Sequence, residues 1–461
     1  MSMTTMDVEM ESRSVRSKDE ILRVMSSRGE SSRKEVNVCF VDIKYTVRDR
    51  AAKRGDGVKE KVILDSVTGL FSPGTMTALM GPSGCGKTTL LDILAGRKTS
   101  GKIEGDIRYN GVKPSASLLK TTVGYVEQFD TLVPNLTVFE MLLYTAYLKR
   151  PSSESKEDKE KRVDAVIASL QLENCRNTII GDPLTKGISG GQAKRVNIGL
   201  ALISQPDVIF MDEPTTGLDS FMANEVVSII RELCTISSLT ICATIHSPTA
   251  FSFNQFDRLL MLIQGQVVFN GIIGDDGMNV RNFFEFQGYQ YPKTISYSVI
   301  EWLTDVVSGG YELTCRAFDE KDYASVSVNS VVEEPEMRVL NGNGETSKSD
   351  NDDNDDPSAD QSAQLIKYYE QSELYIQVRE DVIMSLKSSG VNIENEEQKG
   401  FDQIMPTTTS TGTTVSGLYA LGILVWFRGL KSLKDPVYIA PRLGMCVSCS
   451  FHIFEIEIVL F

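Results

Sequence analysis

Nowhere in the 461 residues is there an uninterrupted apolar run of about 20 residues, the length a membrane-spanning helix needs. The first 34 residues are rich in Ser, Arg and Glu and have no apolar core like that of a secretory leader, so they read as a disordered cytosolic tail. A basic surplus is missing too. The formal net charge is −15, which argues against a protein that works along phosphate backbones, and no nucleic-acid partner is expected. Disulfide spacing is also absent. The eight cysteines (Cys39, Cys85, Cys175, Cys234, Cys242, Cys315, Cys446 and Cys449) follow no framework, which is reduced, cytosolic usage. Cys446 and Cys449 have the two-residue spacing of a metal or redox motif, but without a second pair they read as two unpaired thiols.

What is present is ordinary globular composition, with 41% hydrophobic and 24% charged residues, which suits one domain with polar tails. From residue 35 to about 308, short apolar runs alternate with helix-like patterns, the βαβ signature of a mainly parallel sheet covered by helices. Strands are expected over 38–47, 61–70, 76–80, 207–211 and 239–244, and a helix over 88–95. Three of these strands (76–80, 207–211 and 239–244) carry polar or glycine-rich residues at their C-terminal ends. In an open α/β sheet those ends line one ligand-binding edge.

Residues 309–415 lose this rhythm. Between Glu333 and Asp360 ten acidic residues face only Arg338 and Lys348, and a Thr/Ser run closes the segment. It reads as an acidic, mostly disordered linker with a helix-compatible patch over 365–386. Asp350, Asp352 and Asn354 resemble the start of a calcium loop, but Asp355 stands where Gly is needed and Gln361 where Glu is needed, so calcium is not expected. Beyond Ser416, the apolar stretch 417–427 followed by Arg428, Lys431 and Lys434 suits a helix on a membrane surface; its composition suits a helix packed on the domain equally well.

The chemistry is carried by Gly81-Pro82-Ser83-Gly84-Cys85-Gly86-Lys87-Thr88, a phosphate-binding loop between a strand and a helix. Its backbone amides and the helix N-terminus can converge on phosphate oxygens, with Thr89 continuing the turn. Lys87 would meet the β- and γ-phosphates, and the Thr88 hydroxyl would ligate Mg²⁺. Downstream, the apolar run Val208-Ile209-Phe210-Met211 ends in Asp212 and Glu213. Asp212 is suited to the Mg²⁺ shell and Glu213 to act as general base toward water. The segment Ile188-Ser189-Gly190-Gly191-Gln192 opens a helix-like stretch and makes a second candidate anion site.

These last residues resemble the signature motif of ABC ATPases. The likeness continues with Gln128 of Tyr125-Val126-Glu127-Gln128 as the Q-loop, Gly217-Leu218-Asp219 as the D-loop, and His246 as the switch histidine. The resemblance implies a P-loop NTPase with a RecA-like core, a β-subdomain and a helical signature subdomain. It implies catalytic roles for Lys87, Gln128, Glu213 and His246, with Thr88, Gln128 and Asp212 around Mg²⁺. It also implies a composite site, in which Ser189, Gly190, Gly191 and Gln192 of one domain close over ATP held by another, and makes Asp219 of the D-loop a further nucleotide-site residue. Leu90-Leu91-Asp92-Ile93-Leu94-Ala95-Gly96-Arg97-Lys98, Asn110-Gly111 and Thr244-Ile245-His246-Ser247-Pro248 resemble the G subfamily, a likeness that covers roughly residues 36–308.

In that subfamily the ATPase precedes a membrane domain, and Asp435-Pro436 with Ala440-Pro441-Arg442 resembles its start. Residues 416–461 are therefore expected to be a connecting helix at the membrane surface and the truncated beginning of a transmembrane domain. The rest of that domain is expected in cis beyond residue 461 or in trans on another chain. The expected localisation is a membrane, with the ATPase on its cytoplasmic side. Two departures stand out: Ala193 replaces the usual basic residue after the signature, and residues 296–305 follow the usual exit from the domain only loosely. Adenine stacking is assigned to Tyr45, which as a strand residue equally suits the core. The function expected is an ATP-hydrolysing subunit of a lipid or small-molecule transporter, paired with a copy of itself or a related half-transporter. Against this stand a soluble ABC ATPase, which usually carries two cassettes or a coiled coil, and a non-transporting module that pairs with a half-transporter.

Overall fold

The computed structural model describes residues 35–48, 60–182, 185–292, 298–309, 357–389 and 422–423. The N-terminal tail, the calcium-like run, Cys446 and Cys449, and all of 416–461 except Gly422 and Ile423 lie outside these residues.

Two sheets organise the chain. The first is antiparallel, in the order β2-β1-β4, from β1 (Val38–Arg48), β2 (Glu60–Phe71) and β4 (Lys102–Tyr109). The second runs β5-β6-β7-β3-β8-β9. Its members β5 (Val123–Val126), β6 (Val208–Met211), β7 (Thr240–Thr244), β3 (Met76–Met80) and β8 (Arg258–Ile263) are parallel, and β9 (Gln266–Ile272) returns antiparallel through a tight turn. Strands β3, β6 and β7 are buried at every position, as expected of parallel strands covered on both faces. They are also neighbours, in the order β6-β7-β3, so their C-terminal ends open on one edge.

Helix α1 (Lys87–Leu94) follows β3, and α2 (Ala116–Thr122) precedes β5. Between β5 and β6 stand α3 (Val138–Lys149), α4 (Lys156–Ser169) and α5 (Gly190–Leu202), a helical layer packed on itself. Its members start where the sequence supplies caps. Thr137 with Glu140 and Ser189 with Gln192 form reciprocal capping boxes, and Ser155 caps α4. Helix α6 (Ser220–Ser237), capped by Asp219, leads into β7, and α7 (Ala250–Phe253), α8 (Met278–Phe286) and α9 (Val299–Ser308) complete the domain.

Two cores result. One lies between the parallel sheet and the helical layer, and the other between the two sheets around α1. Phe40, Phe71 and Phe210 bridge the sheets, with ring centroids 5.1 and 6.4 Å apart. Such pairs contribute roughly 0.5–1.5 kcal/mol each beyond area burial.

The segment read as linker contains α10 (Pro357–Glu370) and α11 (Glu373–Ser388). These helices pack on β9, β1 and β2. Val382 and Leu386 bury against Cys39, and the Arg379 guanidinium makes two bonds to the Asp42 carboxylate, at 3.2 and 3.0 Å. Residues 357–388 thus extend the domain, where the reading of 309–415 as mostly disordered had only a helix-compatible patch. The residues that fasten α11 find partners some 340 residues upstream in sequence, as in the Asp42–Arg379 pair and the packing of Val382 and Leu386 on Cys39.

Candidate nucleotide site

The phosphate-loop residues sit where buried β3 gives way to α1. Gly81 has φ +143°, and a Cβ there would stand 2.0 Å from the Leu262 carbonyl oxygen, so only glycine fits against β8. Gly84, at φ +79°, has nothing within 4 Å of a built Cβ; the loop floor is packed and its rim is open. Ser83, Gly84 and Thr88 are exposed, Pro82 and Thr89 half-buried, and Gly86 is the N-cap residue of α1. Cys85 is buried within the loop, and burial pushes its thiol up. The buried Lys87 ammonium donates to the Gly81 and Pro82 carbonyls at 2.8 and 3.0 Å.

The end of β6 brings its two carboxylates beside this loop. Asp212 is 5% exposed, and its Oδ1 accepts hydrogen bonds from the hydroxyls of Thr88 (3.0 Å) and Thr244 (2.7 Å). Burial raises its pKa from the ordinary 3.8; the two hydroxyls oppose that rise, while Glu213 and Asp92 add to it. Glu213 adopts φ +47°, a left-handed conformation that costs a non-glycine residue roughly 1–3 kcal/mol unless its surroundings impose it. Here they do: the Glu213 N–H donates to Thr244 Oγ1 at 2.7 Å, while its carboxylate Oε2 accepts from Gln128 Nε2 and Thr216 Oγ1, both at 2.8 Å. The Thr244 hydroxyl therefore serves both residues, accepting from the Glu213 backbone and donating to the Asp212 carboxylate.

Thr216 has no place in the sequence reading, and Thr244 enters it only within the G-subfamily likeness, without a role at the site. The signal for Thr244 was there, a polar residue at the C-terminal end of a buried strand, but the bond to Asp212 depends on β6 and β7 being neighbours. His246 stands exposed just beyond β7, its Nδ1 paired with Ser247 Oγ at 3.2 Å.

The signature residues are arranged differently. Ser189 and Gly190 are exposed at the start of α5. Ser189 Oγ accepts from the Gln192 N–H at 3.2 Å, and Gln192 Oε1 accepts from the Ser189 N–H at 2.9 Å. The turn lies against the D-loop of the same chain: a Cβ on Gly190 would meet Leu218 at 3.6 Å, and one on Gly191 would meet Met222 at 3.1 Å. Asp219 accepts from the Met222 N–H at 2.9 Å.

Tyr45 needs correction. It is 4% exposed in the core between the sheets, and its hydroxyl donates to the Ser100 carbonyl at 2.8 Å. With the backbone of Gly101 against the ring, where a Cβ would stand 2.6 Å from Tyr45 Cε2, the buried ring has no face open to stack on a base.

Thr88, Gln128, Asp212 and Glu213 thus form one hydrogen-bonded cluster beside an open, glycine-lined loop, a donor set of oxygens that suits phosphates and a hard divalent cation. Among the described residues, no group of three or more His, Cys, Asp or Glu gathers as a metal site in its own right. No helix among them is long and apolar enough to cross a membrane.

Comparison with known proteins agrees with this geometry. The family ABC transporter matches residues 64–216. ABC transporter G family member 14 of Arabidopsis thaliana is 37% identical over 294 residues, covering 63% of this chain and 44% of that protein. ABC transporter G family member 3 of Dictyostelium discoideum is 43% identical over 255 residues, covering 55% of this chain and 18% of its own. A probable ATP-dependent permease of Saccharomyces cerevisiae is 38% identical over 267 residues, covering 58% and 24%. The match spans less than half the length of each of these relatives. Residues 64–216 therefore match the ABC transporter family, and the chain resembles members of the ABC transporter G family over the shared part of its length.

Proposed function

We propose that this domain binds and hydrolyses ATP to drive a G-type transporter, moving a lipid or small molecule across a membrane. The observation that carries the reading is the Asp212–Glu213 pair, fixed by Thr244 and joined to Thr88 and Gln128 beside the phosphate loop.

In this reading, the Lys87 ammonium exchanges its loop carbonyls for β- and γ-phosphate oxygens, while the loop amides and the start of α1 hold the phosphate chain. Thr88 and Asp212, with Gln128 at the edge of the shell, would hold Mg²⁺. When bound, that ion neutralises charge on the phosphates. Glu213 accepts a proton from water as the water oxygen bonds to the γ-phosphorus and the bond to the β-phosphate oxygen breaks, releasing ADP. Gln128 and Thr216 orient the accepting carboxylate. His246, exposed beside the site, would contact the γ-phosphate.

The exposure of Ser189 and Gly190 supports a second domain as partner. That domain, a copy or a relative, would present its own signature to this nucleotide and receive this one in return, with Asp219 at the join. Residues 416–461 would lie at the membrane surface and begin the membrane part, holding the ATPase on the cytoplasmic side, with the acidic stretch 309–415 between them.

ATP turnover by the full chain as a function of its concentration tests this. Specific activity should rise with concentration, and Glu213→Gln should accumulate as an ATP-bound dimer. If the concentrated chain turns over no ATP and Glu213→Gln traps no dimer, the reading fails.

A further inference from the structure

Lys194 is one of the most deeply buried cations in the domain, 3% exposed, and it does not serve its own helix. Its ammonium reaches from α5 to the loop after β5, donating to the Gln128 backbone carbonyl at 2.9 Å and lying 3.1 Å from Asp130 Oδ1. One turn further on, buried Asn197 donates to the Glu127 carbonyl at 3.2 Å and to the same Asp130 oxygen at 2.8 Å. Two side chains from one helix face thus grip residues 127–130. Removing an ammonium from water is costly unless it is paired and fully hydrogen-bonded, so the grip is built rather than incidental. The next residue, Arg195, provides the contrast. Its guanidinium goes to the Leu170 and Gln171 carbonyls, both at 3.4 Å, and to Glu225 at 3.3 Å, fastening α5 to the elements packed around it. Lys194 fastens α5 to the residue whose side chain donates to Glu213.

We propose that Lys194 is a positioning residue for hydrolysis. By holding the Gln128 carbonyl it keeps the Gln128 amide on the Glu213 carboxylate. Because it rides on the helix that Ser189 opens, it also joins this chain's own acid–base pair to the turn that meets the partner's nucleotide. From Ser189 to Lys194 the helix advances roughly 7.5 Å, at 1.5 Å per residue. A shift of that turn when the partner binds is therefore passed rigidly to Gln128. The inference rests on the ATPase reading above.

Lys194→Met, Lys194→Arg and Asp130→Ala in the full chain test it through three measurements. These are kcat for ATP, affinity of the dilute chain for a fluorescent ATP analogue, and the Gln128 side-chain amide resonance of protein labelled with ¹⁵N-glutamine, assigned by its loss in Gln128→Leu. Lys194→Met should lower kcat roughly 10- to 100-fold, as misplacement of a reacting group by about 1 Å does. Analogue affinity should change less than about twofold, the loop and Asp212 being untouched. The Gln128 amide should move toward the position of a free glutamine amide. Lys194→Arg should restore most of both signals, and Asp130→Ala, cut from the less buried end, should reproduce the amide shift even if Lys194→Met does not fold. An unmoved Gln128 amide in Lys194→Met or Asp130→Ala, or a loss of kcat matched by an equal loss of affinity with no rescue by arginine, overturns the proposal. Absence of turnover in the unaltered chain would overturn the ATPase reading, while the amide resonance would still decide the role of Lys194.

Discussion

The phosphate loop with its carboxylates and the signature turn differ most in how their polar groups are satisfied. Around the loop, Asp212 and Glu213 hold partners from other parts of the same chain while Lys87 holds carbonyls of the loop itself, and Lys87 and Asp212 are buried. At the signature, Ser189 and Gln192 satisfy only each other, on an exposed helix start. In the first region the carboxylates are placed by long-range contacts. The second is a local device, folded by its own sequence, that presents a surface. Binding and hydrolysis should therefore be separable by mutation, one belonging to the chain and the other to an assembly.

The largest expected effect breaks the two regions apart. Ser189→Arg should abolish turnover at every chain concentration, a loss on the order of 100-fold or more. ATP-analogue affinity of the dilute chain should stay within about twofold and stability within about 1–2 kcal/mol, the cost of the lost cap. Lys87→Ala should instead weaken nucleotide binding in the dilute chain. Equal losses of affinity in both variants would show that the regions are not independent. Titration of the fluorescent analogue alongside phosphate release gives both readouts.

A smaller effect sharpens the contrast within the loop itself. Gly81→Ala drives a methyl into the Leu262 carbonyl and should destabilise by more than about 3 kcal/mol. Gly84→Ala meets open space and suffers only its positive φ, roughly 1 kcal/mol. Denaturant midpoints of the two variants should differ accordingly.

The smallest effect is one of pH. Burial raises the Asp212 pKa above the ordinary 3.8, so the folded state holds this proton more tightly than the unfolded chain does. Its contribution to stability is full below about 3.8 and is lost as pH rises through the raised, folded-state pKa. Without divalent cation, Asp212→Asn should remove that decline. Thermal midpoints of the two proteins, followed upward from pH 4, should converge or cross if Asp212 is responsible, and run parallel if it is not.

Much of this was legible in the sequence because it is local. The strand over 76–80 has the bounds expected, and the strands expected over 207–211 and 239–244 begin one residue later, since an apolar run entering a glycine loop or an acidic pair signals its own end. The caps Ser189 and Asp219 belong to the same class of short-range signal. The features that escaped depend on partners distant in sequence. Tyr45 has a strand pattern that suits either an exposed or a covered face, and only the pairing of β1 with β4, together with the Ser100 carbonyl, decides between them. Over 357–388 the helix-compatible patch shows in the sequence but its docking place does not, since Val382 and Leu386 meet Cys39 and Arg379 meets Asp42, some 340 residues upstream. Lys194 reads in sequence as one more basic residue after the signature. Its burial becomes visible once α5 lies across the loop at 127–130.

The bonds from the Lys87 ammonium to the Gly81 and Pro82 carbonyls have a kinetic consequence. A loop whose central cation is already coordinated by its own backbone does not gape, so the arriving phosphate chain must compete for that cation before it can be held. Association is then an exchange in two steps, with a rate that should level off at high nucleotide concentration, and on departure the carbonyls are at hand to recapture the lysine. In the proposed ATPase, product release would thereby be assisted from within the loop.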